Sequence, residues 1–350
     1  MKNTSNLIHT KTDRTNFALE TKDVKKIMVL DLGFLGDTIH LLPALWVIHQ
    51  NYPQAELHIA VSNQVSSLFK SIPWVKKAWS YMRYPRHASV KENIRFILEM
   101  RREKFDLLIN LNGSDRSCFL SYFIHAKYSV GRVSENTRPF RNYLFYKTIY
   151  YPTKNKPSYM QRCEMLKEMG LKFQKLEFNI EVTHDDFKTT GLLHQDKYQY
   201  IHMSPFTSSD TKELSIKQIN ELMLALSRKY PHKKIIFSCA PNQRETEKMK
   251  KLIAFLEVKP WKVFAGSLDL TSLVALIKYA SLHLSGDTGT VHIARMMHIP
   301  TVAWFRDPGN SKAWIPDHKK SNVLILKKAS ENMDQVHIKD VIKKIDTLLR

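Results

Sequence analysis

Ser285-Gly286-Asp287-Thr288-Gly289-Thr290-Val291-His292 separates the apolar run Ala280-Ser281-Leu282-His283-Leu284 from a helical stretch, Ile293 to Met297. A short apolar run, a glycine-bearing turn with hydroxyls and one acid, then a helix opened by that turn: a parallel sheet presents backbone N–H groups to an anion in this way. Ile299-Pro300 stops the helix, and Thr301-Val302-Ala303-Trp304-Phe305 reads as the next strand. A second stretch has the same design. Lys26-Ile27-Met28-Val29-Leu30 is a buried-strand run, Gly33-Phe34-Leu35-Gly36-Asp37 a turn, and Thr38 to Leu45 the start of a helix. The two units lie about 250 residues apart, which predicts separate lobes facing one cleft.

Strand candidates at 26–32, 56–61, 106–111 and 127–131 alternate with helical stretches at 38–51, 62–71, 90–104 and 115–125. After a looser stretch at 152–197, with a helix near 158–170, alternation restarts: strands at 199–203, 234–239, 262–264, 281–284 and 301–305, with helices between them. Strands separated by helical patterns mean βαβ units and a mainly parallel sheet. The expected organisation is a flexible lead-in at 1–23, an N-terminal lobe at 24–180 and a C-terminal lobe at 181–330. A last helix, 331–350, packs back through Val336, Ile338, Val341, Ile342, Ile345 and Leu348.

With 350 residues and 43% hydrophobic content the chain can bury two ordinary cores. Cys118, Cys163 and Cys239 fit neither a disulfide frame nor a zinc pattern and read as buried thiols. No apolar run has the length of a membrane span and no signal peptide is evident, so a cytoplasmic protein is expected. The formal charge of +21 favours phosphate-bearing ligands, nucleic acid or an anionic membrane without choosing among them. Basic and aromatic residues interleave at Trp74 to Arg86 and at Arg138 to Tyr151; each is either a solvated basic face or a dock for acidic head groups.

Alone, the first glycine turn matches neither a P-loop nor a dinucleotide fingerprint. Asp37 is either a helix cap or a general base at the carboxyl end of the first strand. In the second turn, Asp287 or Thr288 could cap the helix with His292 in the core. The functional alternative has Asp287 on sugar hydroxyls and Thr288, Gly289 and Thr290 on phosphate oxygens. The loop after strand 199–203 carries Thr207, Ser208 and Lys212, which suit a diphosphate or are simply an exposed polar loop. Glu245 could grip ribose hydroxyls or serve as a helix-start acid. No Asp-x-Asp and no clustered His/Cys spacing occurs, so no metal or other cofactor is expected.

Taken together, these stretches resemble the bacterial heptosyltransferases of glycosyltransferase family 9. The resemblance rests on Gly36-Asp37-Thr38-Ile39-His40-Leu41-Leu42-Pro43, on Phe105 to Gly113, on the Ser/Thr loop ending in Lys212, and on Ala265 to Leu270 leading to Gly286-Asp287-Thr288-Gly289 and His292. It implies an α/β protein of two Rossmann-like lobes, the glycosyltransferase B-type fold, with a central cleft. It further implies inverting, metal-independent transfer from the nucleotide sugar ADP-heptose to the lipopolysaccharide core on lipid A, at the cytoplasmic face of the inner membrane, with no nucleic acid as partner. Asp37 would be the base and Lys212, with Thr207 and Ser208, would stabilise the leaving diphosphate. Asp287, Thr288, Gly289, Thr290 and His292 would hold the donor, and Gly36, His40, Arg116, Arg138 and Arg141 would lie on the acceptor side. The chain departs from the family pattern at Asp31-Leu32-Gly33, where relatives often have a basic residue and a serine, and at Glu213, where a tryptophan is frequent. A different nucleotide sugar or a non-lipid acceptor is the alternative within enzymes; a basic nucleic-acid-binding or membrane-scaffold protein is the one outside them and rests on charge alone.

Overall fold

The computed structural model describes residues 7–8, 11–83, 86–133, 138–150, 157–172, 180–306, 321–325 and 333–349. The chain divides into two compact units, Met1–Glu181 and Val182–Arg350. The N-terminal unit holds β1 (Leu7–Ile8), α1 (Lys11–Glu20), β2 (Lys26–Asp31), α2 (Leu35–Ile39), α3 (Leu42–Asn51), β3 (Glu56–Ser62), β4 (Val75–Tyr81), α4 (Val90–Arg102), β5 (Leu107–Asn110), α5 (Asp115–Ile124), β6 (Tyr128–Val133), β7 (Lys147–Tyr150) and α6 (Ser158–Glu168). Its seven strands run in the order β1-β7-β6-β5-β2-β3-β4, and every pair is parallel. The central strands β2 and β5 are covered on both faces, which explains their unbroken apolar runs.

The C-terminal unit holds α7 (His184–Lys188), β8 (Tyr200–Ser204), α8 (Ile216–Lys229), β9 (Lys234–Cys239), α9 (Gln243–Phe255), β10 (Lys262–Ala265), α10 (Leu270–Lys278), β11 (Leu282–Gly286), α11 (Gly289–Met296), β12 (Thr301–Phe305), β13 (Ser321–Ile325) and α12 (Ile338–Leu348). Its sheet is also all parallel, in the order β10-β9-β8-β11-β12-β13. Ile338, Val341 and Ile345 of α12 join Leu222 and Leu226 of α8 and Trp304 of β12 in one core cluster, so the last helix belongs to this unit's interior.

Several expectations change. Within the described part of the expected lead-in, α1 buries Phe17, Thr21 just after it is buried, and Leu7–Ile8 pair with Thr148–Ile149 of β7. The helix expected at 38–51 is two, parted at His40-Leu41, with Pro43 in the first turn of the second. The helix expected at 62–71 is a short 3₁₀ turn, Ser66–Ser71. The basic and aromatic run from Trp74 becomes the edge strand β4. It buries Val75 and Tyr81 while Lys76 and Lys77 face outward, a pattern that blunts a sheet edge. Lys77 sits 3.4 Å from the Trp79 ring centroid. The three cysteines are unpaired thiols, but Cys239 is only half-buried. Of the loose stretch at 152–197, residues 152–156 and 173–179 lie outside the described residues.

Candidate active site

At the carboxyl end of β2 the chain turns sharply from Asp31 through Leu32-Gly33-Phe34 into α2. A Cβ on Gly33 would lie 2.2 Å from the Asp37 Cβ and 2.8 Å from its Cγ, so only glycine lets Asp37 fold back over the strand end. Asp37 accepts the Phe34 N–H at 3.1 Å, which closes the helix start; the capping reading is therefore true of one oxygen. The other oxygen lies 3.7 Å from the Arg162 Nη2.

Arg162 is the unexpected member. It is buried, projects from α6, and donates Nε and Nη2 to Asp31 Oδ2 at 3.0 and 2.8 Å. Asp31 is wholly buried, and its Oδ1 accepts the Gly33 N–H at 3.0 Å and the Asn112 amide at 3.2 Å. Burial opposes charge on Arg162, yet Asp31 and Asp37 outweigh it and hold the guanidinium protonated. Burial, and then the charge of Asp31, push the Asp37 carboxyl above the ordinary 3.8, while Arg162, the Phe34 N–H and Arg83 pull the other way. The result is a carboxylate with raised proton affinity beside a fixed cation.

Asp37 faces a pocket of about 510 Å³, whose walls include Gly33, Phe34, Arg83, His87 and Arg116. The Arg83 guanidinium lies 4.3 Å from the Phe34 ring centroid, and Arg116 Nη1 is 2.8 Å from His87 Nδ1. Arg141 does not line this pocket. It bonds Asp115 Oδ1 at 2.6 Å and the Gly113 carbonyl at 2.5 Å, and so braces the turn that does. Arg138, mostly exposed, reaches Asp115 Oδ2 at 3.3 Å. His40, expected on the acceptor side, is wholly buried with its ring 5.9 Å from that of Tyr159 and does not line this pocket; Gly36 is half-buried within α2.

In the C-terminal unit the expected donor residues meet at the end of β11. Lys212 Nζ and Asp287 Oδ2 form an ion pair at 2.6 Å. A Cβ on Gly286 would lie 2.8 Å from the Thr207 Cγ2 and 3.0 Å from the Lys212 carbonyl, so this glycine is what lets the Lys212 loop close on the strand. Thr288 is the N-cap of α11 without a side-chain cap bond. Asp287, Thr288 and Gly289 are partly exposed there and Ser208 is exposed.

Four donor assignments change. Thr207 is buried and its hydroxyl donates to the Ser209 carbonyl at 2.8 Å, so it shapes the loop. Thr290 is buried with its hydroxyl 3.3 Å from Ser285 Oγ. His292 lies in the interior, and burial drives its pKa down to about 4, which makes it a neutral core histidine. Glu245 spends both oxygens on the start of α9, accepting from the Ala240 N–H at 2.9 Å and the Asn242 amide at 3.1 Å.

A brace unforeseen in the sequence underlies the Lys212 loop. Buried Glu213 accepts the Thr207 N–H at 2.8 Å and Arg244 Nη2 at 2.7 Å, and also binds Lys248; Arg244 donates to the Thr207 carbonyl at 2.8 Å. Among the described residues no group of three or more His, Cys, Asp or Glu side chains is placed to hold a metal.

Two parallel sheets, each with a glycine turn and an acid at a strand's carboxyl end, are the plan of a glycosyltransferase B-type enzyme. The chain belongs to glycosyltransferase family 9 (heptosyltransferase), whose model matches residues 94–345. It is 25% identical over 289 residues to the lipopolysaccharide core heptosyltransferase OpsX of Haemophilus influenzae, covering 82% of this chain and 80% of that one. In fold it is similar to a family 9 glycosyltransferase of Veillonella parvula, with TM-score 0.78 and 21% identity over 94% of this chain and 98% of the other. It is also similar to the E. coli heptosyltransferase WaaC solved with ADP, with TM-score 0.76 and 18% identity over 92% and 99%. The chain is thus a glycosyltransferase.

Proposed function

We propose that this enzyme moves heptose from ADP-heptose to the inner core of lipopolysaccharide, with inversion and without a metal, at the cytoplasmic face of the inner membrane. Support for the sugar and acceptor comes from the family and from the name of the Haemophilus relative; support for the nucleotide comes from the ADP in the WaaC structure. The observation that carries the chemistry is Asp37, a carboxylate of raised proton affinity in a pocket that also holds Arg83 and Arg116. Asp37 takes the proton of the acceptor hydroxyl as its oxygen attacks the anomeric carbon. The bond from that carbon to the ADP oxygen breaks, and Lys212 with the first N–H groups of α11 receives the charge that develops on the diphosphate. In the free enzyme Asp287 occupies Lys212; the diphosphate displaces it and turns its carboxylate toward sugar hydroxyls.

Incubation with ADP-heptose and lipopolysaccharide cores truncated at successive sugars tests this: one core gains the mass of a single heptose. Calorimetry with ADP, UDP and GDP runs alongside. Tight binding of UDP or GDP in place of ADP, with no heptose transfer, replaces this reading by a transferase of another nucleotide sugar.

A further inference from the structure

The outward faces of α4 and α5 carry apolar side chains where a solvated helix would carry charge. Val90, Ile94 and Leu98 recur at intervals of four along α4, and Phe119, Tyr122 and Phe123 occupy one side of α5; all six are exposed by 45 to 76%. Both helices cover the same face of the sheet, since their inward residues Phe96, Met100, Leu120 and Ile124 share one core cluster with Met28 and Leu30 of β2. The two stripes therefore point the same way. Phe140, stacked on Phe119 at 5.5 Å between centroids, extends them.

Charge around the stripes has one sign. Glu92, Glu99 and Asp115, the acids of the two helices, are bonded to Arg86, Arg95 and Arg141 at 2.7, 2.9 and 2.6 Å. Lys91, Arg101 and Arg102 of α4 and Lys127 just after α5 are exposed cations. Apolar side chains of this size accompanied by lysine and arginine match the boundary of an anionic bilayer, where rings and aliphatic chains enter among the acyl chains and the cations meet phosphate. Arg116 in the first turn of α5 and His87 just before α4 also line the Asp37 pocket, so patch and pocket share an edge.

We infer that the α4–α5 face docks on anionic lipid and holds the Asp37 pocket at the membrane surface. The assignment rests on the proposed lipid-borne acceptor and gives that acceptor a route to the base without leaving the bilayer. Cosedimentation with vesicles of phosphatidylglycerol and phosphatidylethanolamine in equal parts, free of lipopolysaccharide, tests it against pure phosphatidylcholine vesicles. The wild-type chain partitions onto the anionic vesicles, and added salt weakens the binding. Phe119→Ser/Tyr122→Ser/Phe123→Ser lowers partitioning at least about tenfold, and so does Ile94→Asp/Leu98→Asp, a second variant should the first fail to fold. Transfer to a water-soluble, deacylated core is unchanged in both. Wild-type partitioning in a folded variant overturns the inference, as does a wild-type chain that ignores vesicles but forms a dimer that the variants dissolve. Vesicle binding without any heptose transfer leaves the docking face standing and sinks the proposed reaction alone.

Discussion

At the scale of single residues the N-terminal site is a balance between two carboxylates and one guanidinium. Asp37→Asn keeps the shape and the acceptor for the Phe34 N–H but cannot take a proton, so turnover drops by about 10²- to 10⁴-fold; near-normal turnover removes Asp37 from the role. The same variant gains stability at neutral pH. The folded chain holds the Asp37 proton more tightly than the unfolded one, so stability is lost as pH rises from 3.8 through the raised value, and Asn removes that loss. In the wild type the acid limb of kcat/KM is expected above the usual aspartate range, as a pH–rate profile would show. Arg162→Met moves it further up and Asp31→Asn moves it down, because these are the charges that respectively favour and oppose ionised Asp37. Arg162→Met also strands buried Asp31 at a cost of about 3–5 kcal/mol, and the double variant Asp31→Asn/Arg162→Met recovers much of it in denaturant unfolding. A double variant no more stable than Arg162→Met denies that the two form a pair. Asp37 was legible because a glycine turn after a buried strand announces it. Arg162 was not, although an arginine on the same helix face as Met165, Leu166 and Met169 was a signal that a buried acid awaited it.

Elements explain which sequence patterns spoke clearly. Central strands covered on both faces leave unbroken apolar runs, and β2, β5, β8 and β11 are legible for that reason. The edge strand β4, and β7 beside the two-residue edge strand β1, carry charge and mixed character where they meet solvent, so their sequence resembles a basic surface loop. The Lys212 loop was recognised by its hydroxyls and its lysine, but the assignments of Thr207, Thr290, His292 and Glu245 failed for one reason. Burial and local hydrogen bonds depend on how the loop folds, which residue types alone do not reveal. The structure makes that folding depend on Gly286. Gly286→Ala sets a methyl against Thr207, the Lys212 carbonyl and the Trp304 indole nitrogen, the last at 3.0 Å; it costs about 1–3 kcal/mol of stability and weakens ADP binding in calorimetry. Unchanged ADP affinity in that variant means that the loop's seat on β11 is irrelevant to the donor. Lys212→Ala removes the cation and leaves Asp287 facing the diphosphate, so both ADP affinity and turnover fall, binding by a few kcal/mol at about the level seen for a desolvated charge partner. Equal affinity and rate would place Lys212 elsewhere in the mechanism.

Over the whole molecule, two parallel sheets with independent cores were readable from the alternation of runs, and the excess of positive charge marked the chemistry of its ligands without choosing them. The fate of the histidines was not readable, because a histidine in an apolar strand has the same sequence signature whether it binds, switches or only packs. The structure buries several. His202 and His283 stack within the C-terminal sheet with Nδ1 atoms 3.0 Å apart, and His202 Nε2 is 2.8 Å from Ser238 Oγ. Burial holds His202 down at about 3 and His292 at about 4, and pushes His283 well below 6.5; in the N-terminal unit His49 and His58 are lowered for the same reason. An unfolded chain protonates these rings near 6.5, whereas the folded chain refuses the proton until the solution is much more acidic. Stability is therefore complete above 6.5 and drains as pH falls below it, by about 1 kcal/mol per pH unit for each of His202, His283 and His292. Asp37 has the opposite sign but acts in the carboxylate range and cannot offset this near neutrality. Urea unfolding followed by tryptophan fluorescence, with Trp261 and Trp304 reporting on the C-terminal unit, should show midpoints that fall steadily from about pH 7 to about pH 5. A midpoint constant over that interval means that the imidazoles are hydrated or already charged in the native protein, and the dry histidine pair at the centre of the second sheet is then wrong.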